Sequence, residues 1–181
     1  MRVITGSARG KRLSVCTGRE VRPTPDRVKE ALFSIIQFQI EGRRVLDLFA
    51  GSGQLGIEAL SRGAREAVFV DAGSQPAAIV TQNLESTGFL DRAKVWHMEF
   101  TSYLAGNCGT FDLAFLDPPY RTGLLQRAIP LVARHMNQGG TIICENPVDE
   151  PLPEFAEEFV RGRSYRYGKI ALTLYKHKDV T

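Results

Sequence analysis

The chain has no apolar run of about 18 residues, the length a membrane-crossing helix needs. Its 181 residues are 43% hydrophobic and 24% charged, an ordinary balance for one globular domain with a sizeable core. The opening M-R-V-I-T-G-S lacks the apolar centre of a secretory signal. Only three cysteines are present, Cys16, Cys108 and Cys144, with no C-x-x-C pair. That argues against a cysteine-built zinc site and fits reduced thiols, so the expected location is the cytoplasm. No G-x-S-x-G or G-x-x-x-x-G-K-[ST] string occurs, which disfavours serine-hydrolase and P-loop chemistry. His97 and His135 have no metal-ligand spacing, so no metal is expected and both read as structural. There is no repeat, low-complexity tract or heptad pattern, and a monomer is expected.

Charge is modest in sum, +3, but uneven in place. Residues 1–30 hold eight basic and three acidic side chains, so they carry +5 and the remaining 151 residues carry −2. A basic segment beside a neutral-to-acidic domain is the footprint of a polyanionic partner. Within it, G-S-A-R-G-K-R-L is flanked by glycine and suited to close approach to phosphates. R-P-T-P-D-R then leads into a helix, with Thr24 or Asp26 as the expected cap. Val28, Leu32, Ile35 and Ile36 share one face of that helix, which is expected to run to about Ile40. Residues 1–42 thus read as a basic arm and a helix packed on the domain, and residues 43–181 as the domain itself.

The centre of the chain is Arg44 to Gly56, R-V-L-D-L-F-A-G-S-G-Q-L-G. An apolar run ends in a glycine turn and passes into a helix, the unit that brings a ligand against backbone and a helix start. Asp47 distinguishes among ligands. A carboxylate there repels a dinucleotide pyrophosphate but attracts the sulfonium and ammonium of S-adenosyl-L-methionine (SAM). From here strands at 44–49, 67–71, 93–97, 111–116 and 140–145 alternate with helices at 54–62, 75–87 and 122–136. This predicts a parallel, doubly wound α/β sheet. Segments 157–167 and 169–176 have no helix between them, and Gly168 suits a hairpin turn, so they are expected to be antiparallel.

Ligands of such sheets bind beyond the carboxyl ends of the strands. Asp71 ends the second strand, placed to accept from ribose hydroxyls. Glu99 follows the third and suits an adenine amino group, with Phe100 packing near the base. With Asp47, Phe49, Gly51, Ser52, Gly53 and Asp117 they form the expected cofactor set. The fourth strand ends in Asp117-Pro118-Pro119-Tyr120. Two prolines remove two N–H donors and leave carbonyls to accept, while Tyr120 offers a stacking face. This is a slot for a planar amine on a nucleobase, whose lone pair is freed when its protons are held by Asp117 and the Pro118 carbonyl.

With both motifs in place the chain resembles the RsmD family of class I SAM-dependent methyltransferases, which act on N2 of a guanine in bacterial small-subunit (16S) ribosomal RNA. The resemblance rests on I-T-G-S-A-R-G-K-R-L, R-P-T-P-D-R-V-K-E-A-L-F-S-I-I, L-D-L-F-A-G-S-G-Q-L-G-I-E-A-L-S-R-G-A, D-P-P-Y and Y-G-K-I-A-L-T-L-Y. It implies a Rossmann-like, seven-stranded, mostly parallel sheet with an antiparallel last strand. It also implies an RNA-contacting set of Arg9, Lys11, Arg12, Arg22, Thr24 and Arg27. Asp71-Ala72-Gly73 stands where the family usually has E-x-D, which shortens the arm that reaches the ribose, and Glu99 stands where Asp is commoner. Alternative readings are a DNA adenine-N6 or cytosine-N4 methyltransferase, a non-catalytic RNA-binding assembly factor, and an NAD-dependent oxidoreductase, the last disfavoured by Asp47 and D-P-P-Y.

Overall fold

The computed structural model describes residues 1–16 and 24–180. Arg22 lies outside them. Among the described residues five α-helices are formed: α1 (Asp26–Ile35), α2 (Gln54–Ser61), α3 (Ser74–Thr87), α4 (Phe100–Ala105) and α5 (Leu124–Ala133). The strands are β1 (Arg44–Leu48), β2 (Glu66–Asp71), β3 (Ala93–His97), β4 (Phe111–Leu116), β5 (Met136–Pro147), β6 (Phe155–Ala156), β7 (Phe159–Tyr167) and β8 (Ile170–His177). They make one sheet in the order β3-β2-β1-β4-β5-β8-β7-β6. β1 to β5 pair in parallel, and β8 is antiparallel to both β5 and β7. The fold is a Rossmann-like class I methyltransferase fold. It has eight strands rather than seven because the two-residue β6 adds to the edge through a short turn onto β7.

Each face of the sheet is covered, which is why β1 and β4 are apolar almost throughout. One core gathers Leu32, Phe33, Ile57, Phe69, Val80, Phe115 and Leu172 beneath α1, α2 and α3. The other gathers Leu46, Val68, Phe111, Ile129, Val132 and Tyr175 beneath α4 and α5. Gly56 permits the close helix–strand packing, since a Cβ there would stand 2.3 Å from Phe69 Cε1. The expected helix to Ile40 is shorter. It ends at Ile35, and a 3-10 turn at Gln37–Gln39 carries the chain on to β1. Its cap is Pro25, without a side-chain hydrogen bond; the Thr24 hydroxyl is engaged elsewhere, as described below. α4 was not expected, because six residues are too few to display a helical period.

The first thirteen residues fold back on themselves through an Arg2–Arg12 bridge. They dock on α2 with Val3, Ala8 and Leu13 buried. A buried ionic node holds them there. Glu58 accepts from the backbone of Ile4 (2.8 Å) and Thr5 (3.0 Å) and from Arg62 Nε (2.9 Å). Lys29 Nζ lies 3.7 Å from Glu58 and donates to the Arg2 carbonyl at 2.7 Å. Burial pushes the Lys29 ammonium down, and the Glu58 charge opposes this. Glu58→Ala leaves a buried cation alone, and a loss of about 3–5 kcal/mol is expected in denaturant unfolding. The double variant Glu58→Leu/Lys29→Met is expected to recover much of it. Equal destabilisation of single and double variants excludes this account.

Candidate functional site

The strand order reverses between β1 and β4, so the chain leaves these neighbours in opposite directions and a crevice opens at their carboxyl ends. After β1 the turn is held by β2. The N–H groups of Phe49 and Ala50 donate to the Val70 carbonyl, each at 3.0 Å. Phe49 sits at φ +67°, an unfavourable conformation for a bulky residue, anchored by its ring against Phe100 with centroids 5.2 Å apart. Gly51 and Gly53 take φ +56° and +78°. Asp71 spans the turn: Oδ2 accepts from the Gly51 N–H and Oδ1 from the Gly73 N–H, both at 2.9 Å. Each oxygen keeps a further lone pair for a ligand hydroxyl.

Asp47 is only 2% exposed and accepts from the Gly56 N–H at 2.8 Å. Burial, with the Asp71 charge adding to it, pushes this carboxyl up from 3.8 to about 8 against the opposing Gly56 hydrogen bond. Asp47 in turn raises Asp117, so three acids from three strand ends converge on one crevice. Gln54, the first residue of α2, has a buried Oε1 with no hydrogen-bond partner among the described residues. An unpaired acceptor and a cluster of carboxyls fit a cationic ligand.

The Asp117-Pro118-Pro119-Tyr120 segment is organised by two residues that sequence reasoning gave other roles or none. Thr24 Oγ1 lies 3.1 Å from Asp117 Oδ2 and 3.0 Å from Glu145 Oε2. Tyr120 donates its hydroxyl to Glu145 Oε1 at 2.7 Å. A threonine hydroxyl has one proton and cannot donate in both directions. With one carboxyl protonated and donating back to Oγ1, both contacts are hydrogen bonds, an arrangement suited to a proton held between Asp117 and Glu145. Burial raises both carboxyls, and the Glu145 charge raises Asp117 further. Glu145 was missed, yet its signal was visible: it is an acid at the carboxyl end of β5, as Asp47, Asp71 and Asp117 are of theirs. Of the two proline carbonyls expected to accept, that of Pro119 is taken by the Thr122 hydroxyl at 2.7 Å.

The remaining expected residues spread around this centre. Ser52 is buried. Its hydroxyl reaches Met1 Sδ at 3.3 Å, and its carbonyl accepts from Asn83 Nδ2 at 2.9 Å. Asn83 also holds both backbone groups of Ser14, tying the arm to the glycine turn. Glu99 is exposed and precedes α4. Phe100 is 4% exposed, part of the second core and packed on Phe49. Its apolar bulk serves the core beneath the turn. Arg9, Lys11, Arg12 and Arg27 are exposed. An open cleft of about 770 Å³ is lined by Met1, Arg2, Arg12, Val15, Thr24 and Asp26, and Thr24 is the residue it shares with the slot. His97 and His135 are held by the carbonyls of Ala72 and Leu104, at 3.1 and 2.8 Å.

Residues 1–176 match the family described as Conserved hypothetical protein 95. YlbH of Bacillus subtilis is 38% identical over 183 aligned residues, which span 98% of this chain and all of YlbH. Ribosomal RNA small subunit methyltransferase D of Escherichia coli K12 is 34% identical over 180 residues, 98% of this chain and 90% of that protein. The solved structure of yhhF from Escherichia coli superposes with a TM-score of 0.84 at 33% identity, covering 98% of this chain and 97% of the other. The chain belongs to this family, the RsmD family of methyltransferases.

Proposed function

We propose that this chain transfers a methyl group from SAM to the exocyclic N2 amine of a guanine in small-subunit (16S) ribosomal RNA. The observation that carries the reading is the Asp117–Thr24–Glu145–Tyr120 network at the lip of a glycine turn flanked by Asp47 and Asp71. It combines an acceptor-lined slot for a planar amine with a site for a cation. The names of relatives support ribosomal RNA as the substrate.

When bound, SAM supplies an electrophilic methyl group on its sulfonium. Asp47 and Gln54 suit its cationic end, Asp71 its ribose, and Gly51 leaves room over the turn while Gly53 packs closely on Val80 and Phe69. Asp117 and the Pro118 carbonyl accept from the target amine, hold its plane and localise its lone pair. Asp117 then takes the proton that the amine releases. Tyr120 stacks on the base while its hydroxyl stays on Glu145. The base is unpaired or flipped out of its helix to enter the slot. Residues 1–42 act as an arm and helix that close over cofactor and RNA, and residues 43–181 carry the chemistry. The protein works as a monomer in the cytoplasm, on ribosomal RNA that is free or within a partly assembled particle.

The test is transfer of labelled methyl from SAM to small-subunit ribosomal RNA, free and in particles, followed by nucleoside analysis. N2-methylguanosine is the expected product. N6-methyladenosine overturns the target atom, and transfer to DNA alone overturns the substrate class. Changing Arg9, Lys11, Arg12 and Arg22 together to alanine is expected to weaken RNA binding about tenfold or more and to flatten its salt dependence. SAM affinity is expected to hold. Equal loss of both affinities counts against an RNA-contacting arm.

A further inference from the structure

β7 and β8 form a hairpin closed by Gly168 and Lys169, with Gly168 at φ +63°. The stretch from Phe159 to Ile170 contains Arg161, Arg163, Arg166 and Lys169 and no acid. All four basic residues are exposed. Arg161 donates to the Leu152 carbonyl at 2.8 Å, and the other three make no ion pair among the described residues. Aromatic rings alternate with the charges. The Arg163 guanidinium lies 4.8 Å from the centroid of Tyr165, and Tyr165 and Tyr167 are half-buried along the rim of the first core. Arg166 Nε donates to the Gly168 carbonyl at 3.2 Å, and neither this bond nor that of Arg161 neutralises the cation that makes it. A run of exposed cations with no acidic partner makes a positive surface that attracts a polyanion.

The register places this ribbon beside the slot. Glu145 pairs with Leu172, Pro147 with Ile170, and the Val148 N–H donates to the Lys169 carbonyl at 3.1 Å. The hairpin tip therefore stands at the carboxyl edge of the sheet, just beyond the residue that holds Tyr120. β7 lies two strands from β5, about 10 Å away. We propose that Arg163 and Lys169, with Tyr165 and Tyr167, and Arg166 from the opposite face of the ribbon, form a second RNA-binding edge that grips the strand flanking the target base. The guanidinium and ammonium groups meet phosphates, and the tyrosine rings take an unstacked base. The inference rests on the RNA reading above and adds a contact at the C-terminal end of the chain, apart from the basic arm.

The test is the variant Arg163→Ala/Arg166→Ala/Lys169→Ala, compared with wild type and with Arg163→Lys/Arg166→Lys. All three positions are exposed, and thermal melting and SAM binding report whether the fold holds. The KM for small-subunit ribosomal RNA is expected to rise about tenfold or more in the alanine variant. The turnover at saturating RNA stays level, and the slope of log affinity against log salt becomes shallower by about 2. The lysine variant is expected to keep the wild-type slope. Wild-type KM and slope in the alanine variant overturn the proposal while leaving the enzyme assignment standing. Weaker binding to assembled particles alone, with naked RNA unaffected, makes the surface a protein contact and overturns it equally. Failure of the wild type to methylate any small-subunit RNA removes the parent reading, and this one with it.

Discussion

Asp117→Ala is expected to slow methyl transfer by about a hundred- to ten-thousandfold, while SAM still binds. The loss follows from the role proposed for Asp117 at the amine, which is to accept a hydrogen bond and then the proton. Its pKa adds a second, independent readout. The carboxyl is raised by burial and by the neighbouring Glu145 charge, so it is protonated well above the ordinary carboxylate range. Only the ionised form accepts a proton. The pH profile of kcat/KM is therefore expected to rise with pH, with its midpoint displaced upward. Glu145→Gln removes the like charge and keeps one acceptor for Tyr120, while its amide N–H donates to the Thr24 hydroxyl, so the rising limb is expected to move toward acid. A purely structural role for Glu145 predicts no such shift. Profiles that coincide, or normal turnover by Asp117→Ala, refute the proton-sharing account.

Asp47→Asn is expected to strengthen the free protein and weaken its hold on SAM. The carboxyl is pushed up from 3.8 to about 8. A group whose folded pKa lies above its unfolded value favours the folded state fully at acid pH, and that contribution is lost as pH rises between those two values. At pH 8 the wild type therefore holds a buried, partly ionised carboxyl that the amide does not. Even about 1 kcal/mol of relief corresponds to roughly 2–4 °C in Tm for a chain of this size. Binding of a cation reverses the preference, because it favours the ionised acid. SAM affinity in the wild type is expected to rise with pH toward a plateau near the Asp47 pKa, with proton release on binding, and Asp47→Asn to lose this pH dependence. Calorimetry in two buffers of different ionisation enthalpy checks the proton release. Identical pH dependence in both proteins excludes Asp47 as its source.

The two predictions share a design. Acids at the ends of adjacent parallel strands are driven together by the sheet, and burial makes each resist ionisation. In the proposed reaction a bound cation favours the ionised form of Asp47, and ionised Asp117 receives the proton of the amine. The apo protein carries both as unfavourable groups, and the cores on each face of the sheet stabilise the fold enough to hold them there.

The primary sequence determined much of this by itself. The apolar runs of β1 and β4, the glycines after Asp47 and the prolines after Asp117 are local signals, because strand burial and turn conformation depend on a few neighbouring residues. Alternation of strands and helices then places Asp47, Asp71 and Asp117 at one edge without any knowledge of contacts. Other features depended on which distant segments meet. Thr24 reads as a helix cap in sequence, and only the tertiary fold carries it 93 residues along the chain to Asp117 and 121 to Glu145. Phe100 reads in sequence as the residue after an acid, and the tertiary fold sets it against Phe49 because α4 turns its apolar side to the second core. Glu58 and Lys29 each look like surface charges on an amphipathic helix. They are buried because the N-terminal hairpin closes over them, and the backbone N–H groups and the carbonyl it brings make that burial tolerable. The basic ribbon of β7 was legible as residues but not as a surface, since its place beside the slot is set by pairing with β8 and β5. Local chemistry is written in short stretches; which groups share a proton, a partner or an edge is decided when the sheet closes its order.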